Sequence, residues 1–395
     1  MKQFILISFL SVFVLACGET AKESETTIES SNYTGIEIVD SIMYDYLGEA
    51  ELWDVSPDGN KLLLRDWQRK EFLIINTEGE LINSFIKDGD VMDNPGFLLM
   101  AASFHDNETI LAGSVKGIFF FSLPGELIRK VNFTDIPEVN IFYTSAGFHF
   151  QNVELNGNNY LLGPAITPNE FTKMEQDYYK TRKSISMIDL DSGKIEGIIN
   201  LEPDSRFFDG KVYEMSHVYT YFKMVDDKLW VVHAGDPRLL VYEMKEPFDK
   251  VMDIPLNLIG LNYPEGVPPQ AAEPRSISMD SSIGGVKGIQ IVGDKVALLY
   301  YQGMKQEVKD EIEPLWSTDQ EKASELWQIA AEKVEYRVQV FDKEGNFEGD
   351  FVLPKTFRPY VFIGTEDGSL WLSKAANEEE EEDFVTFYKA KLVKD

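Results

Sequence analysis

The sequence predicts an all-β fold, a six-bladed β-propeller, and three observations predict it. A unit of four short strands and two tight turns recurs six times along 395 residues. Each recurrence places a strongly apolar run straight after its first turn, as a strand buried on both faces requires. Only three strands follow the sixth first turn, and an alternating segment near the N-terminus, Thr34 to Tyr44, is placed to supply the fourth.

The chain opens on Met1-Lys2-Gln3 and an apolar run from Phe4 to Ala16. Such a run is too short to span a bilayer and suits the apolar region of an export signal. It ends in Val14-Leu15-Ala16-Cys17-Gly18, which resembles the lipobox of bacterial lipoproteins. That resemblance implies a signal peptide over residues 1–17 and a lipid anchor on Cys17, the first residue of the mature chain. Cys17 is also the only cysteine, so no intrachain disulfide can form. Residues 18–33 carry mostly Glu, Ser and Thr and too little apolar surface to offset ordering, which predicts a flexible tether.

Residues 34–395 are then the propeller, and Val55 to Phe85 is its clearest unit. Ser56-Pro57-Asp58-Gly59 is a turn, since Pro presets φ and Gly accepts a positive one. The runs Lys61 to Trp67, Phe72 to Ile75 and Leu81 to Ile86 follow, with Thr77-Glu78-Gly79 between the last two. Leu52 to Val55 stands in front as the innermost strand.

First turns recur at Asp58, Asn107, Gly157, Asp227, Asp294 and Asp367, separated by 49, 50, 70, 67 and 73 residues. The runs after them read KLLLRDW, TILAGSV, YLLGPAI, LWVVHAG, VALLYYQ and LWLSKAA. Second turns recur at Gly79, Gly125, Gly193, Pro247 and Gly345. A paired-turn period of this size is a propeller signature. The ring must close, because an open one exposes unpaired strand edges. Thr34 to Tyr44 is therefore expected as the outer strand of the last blade.

Three insertions lengthen the repeats, and all fall in loops that share one face. Thr167-Pro168-Asn169-Glu170 predicts a helix start, with Phe171, Met174 and Tyr178 at helical spacing. Met304 to Lys333 predicts two helices broken near Pro314, the second capped by Thr318 with Glu321. Ala323, Leu326, Trp327 and Ala330 form its apolar stripe. Asn262 to Ile277 is Pro-rich and irregular.

SPDGNKLLL resembles the turn-and-strand signature of TolB-like propellers. With the lipobox and tether, the whole chain is similar to six-bladed propeller lipoproteins of Bacteroidota, an uncharacterised family. The resemblance implies an outer-membrane location, on its periplasmic or surface face, and brings no catalytic residues.

Charge narrows the function. There are 67 acidic and 37 basic residues, a formal net charge of −30, and no basic cluster. Such a field repels nucleic acid. His149 and His217 precede inner strands, and His233 closes the second strand of blade four, so the three could meet at the channel mouth. Their spacing matches no metal motif, and neither metal nor cofactor is expected. His105, beside a first turn, is expected to be exposed. Trp67, Arg69, Arg238, Lys287, Arg358 and Tyr360 complete a set of rim candidates that could bind peptide, protein or glycan by stacking and bidentate bonding. Glu378 to Asp383 is expected to be a solvated loop, since Ca²⁺ sites need spaced ligands. No nucleophile-elbow or nucleotide-binding motif is present. The expected function is a binding or scaffolding module; the alternative is a hydrolase or lyase working at the channel mouth.

Overall fold

The computed structural model describes residues 33–138, 146–273, 282–376 and 383–394. Cys17, the leader, nearly all of the tether and most of the Glu378 to Asp383 run lie outside the described residues. The described residues start with β1 (Tyr33–Asp45) and continue in four-stranded antiparallel units. The first holds β2 (Ala50–Val55), β3 (Lys61–Asp66), β4 (Glu71–Asn76) and β5 (Leu81–Ile86). The second holds β6 (Ser103–Phe104), β7 (Thr109–Ser114), β8 (Gly117–Ser122) and β9 (Leu127–Val131). The third holds β10 (Gln151–Leu155), β11 (Asn158–Pro164), β12 (Lys183–Asp189) and β13 (Ile195–Asn200), with helix α1 (Gln176–Thr181) between β11 and β12. The fourth holds β14 (Thr220–Val225), β15 (Lys228–His233), β16 (Arg238–Glu243) and β17 (Lys250–Pro255).

The fifth unit holds β18 (Gly285–Val292), β19 (Lys295–Tyr301), β20 (Tyr336–Asp342) and β21 (Phe347–Val352). Its hairpin of α2 (Gln306–Ile312) and α3 (Gln320–Ala331) sits between β19 and β20. The sixth holds β22 (Phe357–Gly364), β23 (Leu370–Lys374) and β24 (Phe384–Lys394), with β1 as its outer strand. Units five and six share one eight-stranded sheet, joined by the parallel pair Tyr33↔Gly349. Hydrogen-bonded sheets therefore number five among the described residues, while antiparallel quartets number six. Gly349 permits the junction: a Cβ there would lie 2.4 Å from the Tyr33 carbonyl oxygen.

All six first turns and five second turns fall between the strands expected of them. Second strands are buried along most of their length, as their apolar runs require: Leu62, Leu63 and Leu64 in β3 and Leu229 to Val232 in β15 are fully buried. β1 pairs antiparallel with β24 from Tyr33↔Lys394 to Asp45↔Phe384, which ties the ends of the ring together.

Polar side chains join neighbouring units at every second seam. Phe104 N–H of unit two donates to Asp54 Oδ2 of unit one at 2.8 Å. Gln151 of unit three donates to Phe222 O of unit four at 2.9 Å and accepts from Met224 N at 2.8 Å. Gln290 of unit five accepts from Gly364 N of unit six at 3.5 Å. Each satisfies inner-strand groups that lack a ladder partner.

The axis is filled by the chain itself. Residues 146–150, leading into β10, reach all six units. Gly147 N donates to Trp53 O at 3.0 Å, and Gly147 O accepts from Gln290 Nε2 at 2.9 Å. The Phe148 ring packs on Tyr219, Tyr221 and Phe222 of unit four, with centroids 5.1 to 5.8 Å apart. Phe150 fits against Gly113 and Gly163, where an added Cβ would lie 2.0 and 2.2 Å from its ring. Gly147 has φ of 69°, and its Cβ would stand 2.7 Å from Gln290 Nε2, so glycine is required there on two counts.

The insertions fold on one face with two departures from expectation. Residues 168–175 form turns, and helix begins only at Gln176. Asn169 Oδ1 accepts from Phe171 N at 3.0 Å, which holds that stretch in an Asx-type turn. In α3 the N-cap is Asp319, whose carboxylate accepts from Lys322 N at 3.2 Å, whereas Thr318 Oγ donates to Pro314 O. A carboxylate at this position also favours the helix dipole. The stripe of Ala323, Leu326, Trp327 and Ala330 is the inward side of α3, with Ala323 fully buried.

Candidate functional site

The site candidates separate into a rim groove, a latched corner, a buried axial cluster and a buried histidine cluster. The groove lies between units five and six, has a volume of about 780 Å³, and includes Tyr336, Phe357, Arg358 and Tyr360. It forms where β20 begins, where β21 runs into Pro354, and where β22 starts at Phe357. Pro354 cannot continue the ladder as a donor, so the chain bends away and leaves the walls apart. Tyr336 stacks on Tyr301 with centroids 4.6 Å apart, and Lys287 Nζ lies 5.9 Å from the Tyr301 ring. Of the expected rim residues, Arg358 and Tyr360 line this groove, and Lys287 lies beside Tyr301, which packs on its wall residue Tyr336. Arg358 donates to Lys374 O at 3.2 Å and Tyr360 OH at 3.4 Å, and among the described residues no carboxylate pairs with it. Tyr360 is 48% exposed.

A wider groove of about 910 Å³ runs between the outer parts of units three and four, past Glu202, Tyr242 and Lys250. Its polar groups satisfy one another: Glu202 accepts from Tyr242 OH at 2.8 Å and from Lys250 Nζ at 2.9 Å. None of the sequence-expected residues lines it.

Trp67 and Arg69 stand at the corner where β1 turns into unit one, and both are latched. Trp67 Nε1 donates to Glu51 Oε2 at 3.0 Å. Arg69 donates to Leu47 O at 2.9 Å and lies 5.0 Å from the Tyr46 ring centroid. These contacts hold the crossover from β1 to β2.

At the axis, Asp54, His149 and Lys223 form a buried ionisable cluster. His149 Nδ1 lies 3.8 Å from Asp54 Oδ1. Burial raises the Asp54 carboxyl to about 7, against the pull of the Phe104 and Val55 amides and of Lys223. Burial lowers Lys223 to about 8, with Asp54 opposing. Desolvation thus outweighs their attraction. His149 is held well below its usual range by burial, then by Lys223, so it is neutral at pH 7. Asp54 and Lys223 were missed in the sequence, although each is a charge set in an apolar stretch, LWDV and TYFKMV.

The three histidines do not share a site: among the described residues no group of His, Cys, Asp and Glu is placed to hold a metal ion. His217 and His233 are buried near the seam of units three and four, beside Tyr213, Phe207 and Ser184. The Tyr213 ring is 6.3 Å from His217, and His233 Nε2 is 3.0 Å from Ser184 Oγ. Burial lowers His233 to about 4. Arg238 is engaged in ion pairs, 2.6 Å from the exposed Asp204 and 3.3 Å from the buried Asp236. His105 is half-buried beneath the opposite face, with Nδ1 3.1 Å from Asn152 Nδ2.

No family model matches the sequence, and no curated relative matches it. The fold is similar to the crystal structure of a DUF4221-family member from Bacteroides vulgatus, with a TM-score of 0.65 at 12% identity. That alignment covers 92% of this chain and 100% of the other. BamB from Moraxella catarrhalis aligns with a TM-score of 0.39 at 9% identity, over 90% of this chain and 99% of that one. A streptogramin B lyase aligns at 0.37 and 10% identity, over 93% and 95%. The first similarity establishes a propeller-type fold, and fold alone assigns no activity.

Proposed function

We propose that the chain is a binding module of the bacterial cell envelope, held to the outer membrane by a lipid on Cys17. Its ligand is an extended peptide segment of a partner protein, bound in the groove between units five and six. The observation that carries this reading is the Arg358 guanidinium, which forms an ion pair with no carboxylate among the described residues and stands beside the exposed Tyr360 in a groove of about 780 Å³. A guanidinium so placed favours a carboxylate-bearing chain, and tyrosine adds stacking area at low entropic cost. At the axis, residues 146–150 pack between the units instead.

The test is fluorescence anisotropy against peptide and glycan panels, with Arg358→Ala and Tyr360→Ala alongside. Acidic peptides should bind, and each variant should lose affinity tenfold or more, on the order of 1.4 kcal/mol. Glycan binding without peptide binding would reject the ligand class. Changing Cys17 to Ser should release the protein from the membrane fraction.

A second reading, an enzyme, rests on the Ser184–His233 contact, which has the distance of a nucleophile–base pair. Labelling of Ser184 by a fluorophosphonate probe would support it. The cavity beside the pair is about 10 Å³, room for one water-sized group and no acyl substrate.

A further inference from the structure

That small cavity is where the structure goes beyond a peptide-binding rim. It is lined by Pro164, Ala165, Arg182, Ser184, Met215, Tyr219 and Thr220, at the seam between units three and four. Arg182 is 8% exposed and Thr220 4% exposed. Arg182 closes α1: its amide donates to Tyr178 O, its Nη1 donates to Tyr178 OH at 2.7 Å, and its guanidinium carbon lies 5.8 Å from that ring. No carboxylate among the described residues pairs with it. Its Nε and the Thr220 hydroxyl are buried with no hydrogen-bond partner among the described residues.

A buried cation lacking a counter-charge is among the costliest arrangements a protein can hold. Orphaned polar groups of this kind call for an occupant. Arg182 supplies a full positive charge and an N–H donor, and the Thr220 hydroxyl can donate as well. The Ser184 hydroxyl, held at 3.0 Å by His233, stands on the same wall. Pro164, Ala165 and Met215 supply apolar contact. The charge calls for a single negative ion, and a cavity of about 10 Å³ favours a small one.

We propose that this cavity is a monovalent halide site, with chloride as its occupant, held by Arg182 and Thr220. The ion neutralises the guanidinium where α1 and the connection before β14 meet units three and four. Halide binding therefore stabilises that corner of the insertion-bearing face.

The experiment compares thermal unfolding of the full chain in sodium chloride, sodium bromide and sodium gluconate at matched ionic strength. Gluconate is too large to enter. Chloride and bromide should raise the midpoint by about 2 °C or more, and the rise should saturate as one-site linkage requires. Arg182→Met should abolish the difference between halide and gluconate. Should that variant fail to fold, Thr220→Val should weaken the apparent halide affinity severalfold. Crystals soaked in bromide should show an anomalous peak between Arg182 and Thr220. A midpoint equal in halide and gluconate, an unchanged halide response in the variants, or a cavity holding only water in the bromide map would each overturn the proposal.

Discussion

The axis and the groove between units five and six both gather polar side chains, and they use them in opposite ways. At the axis, Asp54, Gln151 and Gln290 spend their hydrogen bonds on the inner strands of neighbouring units, and residues 146–150 occupy the remaining space. In the groove, Arg358 bonds among the described residues to a carbonyl and a phenol, and Tyr360 is 48% exposed. Polar groups at the centre of this ring serve cohesion, as do Trp67, Arg69 and Arg238 at its edge, and the contrast lies with Arg358 and Tyr360 in the groove. A polar residue near a propeller axis is thus not a site by position alone; what matters is whether its hydrogen-bonding capacity is already taken.

Four outcomes would test that division, the largest first. Removing residues up to Asp45 strips β24 of its partner and opens the ring. The product should aggregate and lose a cooperative unfolding transition, as size-exclusion chromatography and calorimetry would show. A truncated chain that melted like its parent would refute the closure. Next, Gly147→Val should destabilise by about 3 kcal/mol or more in denaturant titration, because a branched side chain meets both a positive φ and a filled axis. A loss below about 1 kcal/mol would mean the axis is not tightly filled.

The third outcome concerns pH. The Asp54 carboxyl is raised by burial to about 7, above its ordinary 3.8, so its protonated form is favoured in the folded state. Its contribution is fully present below about pH 4 and is lost as pH rises through 7, with a ceiling of about 4 kcal/mol. Asp54→Asn should flatten the stability profile between pH 4 and 7, measured by urea unfolding. An unchanged slope would show that Asp54 is better solvated than its burial implies. The smallest effect belongs to the rim: Arg358→Ala and Tyr360→Ala should each shift stability by less than about 0.5 kcal/mol while weakening the proposed peptide binding tenfold or more. A larger loss would place them among the cohesive groups.

Much of the architecture was readable because a propeller writes it twice, once in turn residues and once in apolar runs. Pro57-Asp58-Gly59 and Asp294 with Gly293 mark first turns without ambiguity, and β3, β15 and β19 announce their burial. Thr34 to Tyr44 alternates and has a partner only in a ring that closes, which is why β1 could be placed. Reading the face decorations was harder. Thr318 and Asp319 are both able caps, and the choice depends on how the chain leaves Pro314. Thr167 and Pro168 suggest a helix, yet Asn169 competes for the local amides and wins.

The sites were less legible, for a physical reason. Arg238 and Arg358 look alike in sequence, each near the start of a strand. Arg238 pairs with Asp204, Asp236 and Asp253, while Arg358 pairs with no carboxylate among the described residues, a distinction that rests partly on Asp204, 34 residues away in the chain. Residues 146–150 showed no signal of filling the axis, because AGFHF reads as any loop before a strand. Charges set in apolar stretches were the signal that could have found Asp54 and Lys223. Arg182 offered none, since its orphaned Nε is visible only once its neighbours are placed.

The pairing of β1 with β24 also bears on how the molecule comes to exist. A ribosome makes β1 first and its antiparallel partner more than three hundred residues later. Throughout that interval the earliest strand has no neighbour to complete it, and contacts of such long sequence separation form slowly. A message cut short before Phe384 would yield a nearly full-length product that keeps an orphaned strand at one end and a raw edge at the other. Quality control in the cell can therefore recognise an unfinished copy by what it still leaves open.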